Sequence, residues 1–85
     1  MSRFSVYQRH IDRGFRGKGS EFICPIAIAM TEALGTKIGV WKGKAWNVET
    51  GESYVLPDNA IKAYVRYDHG LLMKPFDFEI AENIL

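Results

Sequence analysis

Cysteine is nearly missing from this 85-residue chain, with Cys24 its one thiol. An internal disulfide and a cysteine-built metal cage are both excluded, which fits a reducing, cytoplasmic setting. Two histidines, His10 and His69, do not stand at ligand spacing from Cys24 or from each other, so no metal site is expected. Repeats and low-complexity stretches are absent. The apolar runs fall short of the about 20 residues a membrane span needs. Met1-Ser2-Arg3 leads into a polar, charged stretch and not into an apolar one, so no signal peptide is expected. Net charge is only +1, which argues against a strongly acidic nucleic-acid mimic and against a strongly basic nucleic-acid binder.

What is present is a globular composition, 47% hydrophobic and 13% aromatic, in a length that makes one domain spanning residues 1–85. The most apolar surface is the run from Phe22 to Gly35. Pro25 suits a first helical position and Gly35 the left-handed residue past a helix end. Residues 25–34 therefore read as a core helix, apolar nearly all round, with Ile26, Ile28, Met30 and Leu34 as buried anchors.

Around that helix the pattern is mostly strand. Residues 4–8 alternate, with Phe4 and Val6 on one face. His10 to Gly14 reads as one helical turn. Residues 37–41, 45–48 and 53–56 are short strands joined by the turns 42–44 and 49–52, an antiparallel meander. A second, amphipathic helix starts at Pro57, with Ala60, Ile61, Tyr64, Val65 and Asp68 on its inner side. Asn59, Lys62, Ala63 and Arg66 fall on its wet side, and His69-Gly70 end it. Residues 75–80 alternate cleanly, placing Phe76, Phe78 and Ile80 inward, and Pro75 suggests an edge strand. The expected fold is α+β: a small antiparallel sheet of about four to five strands packed against a buried central helix, with a second amphipathic helix.

Charge is polarised along the chain. Residues 1–18 hold Arg3, Arg9, Arg13, Arg16 and Lys18 against Asp12, net +4, whereas residues 77–85 hold Asp77, Glu79 and Glu82 and no base, net −3. Two solvated ends can differ in sign without consequence. The sharper reading is a basic arm, Arg9, Arg13, Phe15, Arg16 and Lys18, that docks on an acidic partner or on phosphate, as arginine and aromatics do at interfaces.

The remaining chemistry is sparse. Cys24 stands at a helix start, where a dipole can lower a thiol pKa, but no base is placed beside it by spacing, and burial for packing is the simpler account. Gly-Lys-Gly-Ser at 17–20 lacks the order of a phosphate-binding loop. Trp41, Trp46 and Tyr54 could stack bases if exposed; with one sheet face required by the helix, most of them are expected in the core. Asp77 and Glu79 read as solvated edge positions.

Two blocks together carry a resemblance. His10-Ile11-Asp12-Arg13-Gly14-Phe15-Arg16-Gly17 leads into Cys24-Pro25-Ile26-Ala27-Ile28-Ala29, and Tyr54-Val55-Leu56-Pro57 with Ala60 leads into 65–70 and Pro75-Phe76-Asp77-Phe78-Glu79. Their order and spacing resemble a family of very short phage and prophage proteins of no established activity. That resemblance carries no catalytic motif and transfers no functional residue. By analogy of size and setting it implies a non-enzymatic inhibitor of a host protein or ribonucleoprotein complex, of the anti-CRISPR kind, without a cofactor and acting in the host cytoplasm. The competing expectation is a small nucleic-acid-binding module using the same arm and exposed sheet aromatics. A third is a small enzyme built on Cys24.

Overall fold

The computed structural model describes residues 2–15 and 21–80. They form an α+β fold in the order β1 (Ser2–Val6), α1 (Gln8–Arg13), α2 (Pro25–Leu34), β2 (Ile38–Trp41), β3 (Lys44–Asn47), β4 (Ser53–Val55), α3 (Asp58–Asp68) and β5 (Phe76–Ile80). Among the described residues there are five strands, but the single sheet expected from sequence is corrected. β1 and β5 pair antiparallel by themselves, and β2, β3 and β4 make a separate antiparallel meander.

The terminal pair joins strands from opposite ends of the chain. Phe4 stands opposite Phe78 and Val6 opposite Phe76. Alternation puts one side chain in two toward the core, so Phe4, Val6, Phe78 and Ile80 are buried while Arg3, Asp77 and Glu79 are exposed. Phe4 and Phe78 stack with ring centroids 5.5 Å apart.

α2 runs over the span the sequence indicates. Pro25 is its first residue, and Gly35 takes φ 71° and donates its N–H to the Thr31 carbonyl. The helix packs against α1, β1 and β2. Ile26, Ala27 and Met30 are fully enclosed, and each large side chain so buried contributes about 1.5–3 kcal/mol. Burial is nevertheless one-sided toward the C-terminus: Ile28 is half-buried and Leu34 is 44% exposed, so Leu34 is not the anchor its position suggests. Thr31 Oγ1 accepts from the Ile38 N–H at 3.0 Å and ties the helix to β2.

In the meander, Lys42 (φ 50°) and Gly43 (φ 80°) form the turn between β2 and β3, a pair of left-handed residues that matches the twist of a tight hairpin. Gly39 lies under Trp46, and a Cβ there would come 2.5 Å from the indole; any side chain would displace the ring. Asn47 Oδ1 accepts from the N–H groups of Glu49 and Thr50 and shapes the next turn.

α1 is longer than one turn, and α3 is rotated from the expected face. Its buried side chains are Ala60 and Tyr67, with Ile61, Ala63 and Tyr64 half-buried, whereas Val65 and Asp68 are exposed. The Tyr67 hydroxyl reaches the Ile11 carbonyl at 3.4 Å, which satisfies the polar tip of a buried ring.

Candidate functional site

Arg9 and Arg13 of the basic arm stand on α1. Its N-terminal turn is locked by His10, which is 1% exposed and whose Nδ1 accepts from the Tyr7 N–H at 2.9 Å. An acceptor Nδ1 leaves the ring proton of neutral His10 on Nε2. That nitrogen lies 3.2 Å from Glu32 Oε1 on α2 but without hydrogen-bond alignment. Glu32 also accepts from Arg9. The Arg9 hydrogen bond, reinforced by the neighbouring His10, holds the Glu32 carboxyl below its ordinary value. Arg9 further sits over the Tyr7 ring, 4.8 Å from its centroid. Arg9 is thus engaged by two intramolecular partners.

At the other end of α1, Gly14 abuts Pro25 so closely that a Cβ would meet its ring at 2.7 Å. This contact joins the end of α1 to the start of α2. Phe15 follows, with its N–H bonded to the Ile23 carbonyl at 2.9 Å and its side chain 63% exposed. Arg13 is exposed and lines a depression of about 380 Å³ with Phe22, Ile28, Thr31, Glu32 and Lys37. Lys37 Nζ lies 4.5 Å from the Phe22 ring centroid on the same surface.

Of the five arm residues, the structure places Arg13 and Phe15 in the open and Arg9 against Glu32 and Tyr7; Arg16 and Lys18 lie outside the described residues. Sequence reasoning missed Lys37 and Phe22 as neighbours of Arg13. The signal available was only that both flank the core helix, which does not fix the side on which they emerge.

Cys24 caps α2, its Sγ accepting from the Ala27 N–H at 3.4 Å, and it is buried. Burial pushes the thiol up from 9.0 to about 11, the opposite of the lowered pKa that makes a nucleophile at neutral pH. Among the described residues no group of three or more His, Cys, Asp or Glu side chains could hold a metal ion. No described helix is long and apolar enough to cross a membrane.

The meander aromatics meet the expected core placement only in part, with Tyr54 packed against the core. Trp41 is 50% exposed, with Lys42 Nζ 5.7 Å from its ring. Trp46 and Tyr54 are half-buried, and Trp46 meets Phe22 edge-on at 5.6 Å. Asp77 and Glu79 are exposed as expected, with Asp77 3.9 Å from Arg3 Nε.

Comparison of the chain with family models, with curated proteins and with solved structures finds no match.

Proposed function

We propose that this chain is a non-enzymatic binding protein that docks on an acidic, partly apolar surface of a host protein or ribonucleoprotein complex and blocks it, an inhibitor of the anti-CRISPR kind. The observation that carries this reading is the pairing of Arg13 with Phe15. A guanidinium and a 63% exposed phenyl ring stand two residues apart at the α1–α2 junction. Arginine and aromatic residues dominate the binding energy of protein interfaces. Ile23, 40% exposed and joined to Phe15 through its carbonyl, widens the apolar part. Exposed aliphatic side chains serve a protein partner and add little to phosphate recognition. The nucleic-acid alternative has one specific observation in its favour, the half-exposed Trp41 beside Lys42.

The test is phage plating on a CRISPR-active host and on its CRISPR-deficient sibling, each expressing the chain. The reading expects plating to rise only on the active host, and Arg13→Glu with Phe15→Ser to abolish the rise while the protein stays folded. Equal plating with and without the chain, or full activity of the double variant, would sink it. Binding to bare oligonucleotide, lost steeply with salt, would favour the alternative.

A further inference from the structure

A second surface, remote in sequence from the arm, is built between α3 and the segment that follows it. Asn59, Lys62, Ala63 and Arg66 fall at helical spacings of three and four on one face of α3. They form one wall of an open groove of about 750 Å³; Leu71 to Phe76 form the other. The two walls are tied by Asn59, whose Nδ2 donates to the Asp77 carbonyl at 2.9 Å.

The second wall is held open by its own chemistry. Met73 is 4% exposed and anchors the segment in the core, while Leu72 is 75% and Leu71 48% exposed. The Leu71 N–H bonds to the Arg66 carbonyl at 2.9 Å, fixing where the turn leaves the helix. Two adjacent leucines are therefore presented to solvent by an anchored backbone. Keeping such apolar area wet has no benefit for folding.

The charge lining this groove has one sign. Lys62, Arg66 and Lys74 contribute three cations, and among the described residues no carboxylate lines it. Among the described residues none of the three has an ion-pair partner. An apolar floor with a cationic rim selects for an occupant with apolar anchors and acidic flanks, because a rim of one sign steers opposite charge and repels its own.

From this complementarity we infer that the α3 groove is a docking site for an acidic amphipathic segment of a protein partner. Leu71, Leu72 and Phe76 receive its apolar side chains, and Lys62, Arg66 and Lys74 pair with its carboxylates. A helix laid in such a groove presents anchors at i, i+3, i+4 and i+7. The site uses none of the residues of the α1–α2 surface and stands or falls apart from the function proposed for it.

The probe is a fluorescein-labelled synthetic peptide with leucine at those spacings and glutamate elsewhere, compared with its lysine-for-glutamate counterpart. Anisotropy should report binding of the acidic peptide alone. Amide shifts should change at residues 59–66 and 71–76. Lys62→Glu with Arg66→Glu, and separately Leu72→Ser, should each weaken binding by about tenfold or more, with the unfolding midpoint unchanged. The inference is overturned by no binding of the acidic peptide, by equal binding of both peptides, or by variants that leave affinity intact. It is overturned as well if an oligonucleotide shifts these same residues while the peptide does not. Dimerisation of the free chain through the groove, lost in Leu72→Ser, would assign the surface to a second copy instead.

Discussion

α1 and the α3 groove both carry positive charge, and Arg9 of α1 holds it in the opposite way from the groove. At α1, Arg9 is bonded to Glu32 and lies over Tyr7, and His10 is buried beside the same carboxylate. The Arg9–Glu32 pair ties one helix to another. In the groove, Lys62, Arg66 and Lys74 line an apolar floor, with no carboxylate among the described lining residues. A cation already engaged within the fold must break that contact to serve a partner, whereas a cation facing solvent gives up only hydration. Counting charge by segment therefore overstates Arg9 and overlooks α3, whose Lys62 and Arg66 read in the sequence as an ordinary wet face.

The largest way to break this contrast is His10→Ala. It removes a fully buried ring and leaves the Tyr7 N–H without its acceptor, for a loss of about 2 kcal/mol in denaturant unfolding. Lys62→Glu with Arg66→Glu should stay within about 0.5 kcal/mol of wild type, as exposed substitutions do. Equal losses from both would mean that the α3 cations are structural as well.

A finer probe is the thiol at the α1–α2 junction. With its pKa pushed to about 11, Cys24 holds roughly a hundredfold less thiolate near pH 8 than a thiol at its ordinary value. Burial slows it further. Iodoacetamide should therefore label native protein slowly and unfolded protein fast. His10→Ala should speed native labelling by loosening the packing of α1 on α2, and Leu72→Ser should not. Unchanged labelling in His10→Ala would separate the lock of α1 from the junction.

Local signals were legible and long-range ones were not. Pro25 and Gly35 fix both ends of α2 because a first-turn proline and a left-handed glycine act through their own backbones. The alternation of 76–80 fixes the buried face of β5 for the same reason. The division into two sheets was not legible, because β1 finds its partner at the far end of the described chain. The face of α3 was ambiguous, since Ala60, Tyr64 and Tyr67 lie at helical spacings as good as those through Val65 and Asp68. The carbonyl of Ile11, which receives the Tyr67 hydroxyl, favours the former and is invisible locally. Likewise Arg9 is visible as a charge, but Glu32 lies 23 residues away, and no spacing rule pairs them.

The smallest expected effect concerns that pair and depends on pH. Glu32 has a folded pKa lowered from 4.5, first by the Arg9 hydrogen bond and then by His10. A lowered carboxylate contributes stability that is fully present above its unfolded value and fades as pH falls through the folded one. Comparing wild type with Glu32→Gln by denaturant unfolding, the difference should be present at neutral pH and should shrink as pH drops below 4.5. Because the pair is solvent-exposed, added salt should reduce the difference at neutral pH. A difference independent of both pH and salt would show that Glu32 acts through packing alone. The contrast would then weaken at its source, since Arg9 would be as available to a partner as the cations of α3.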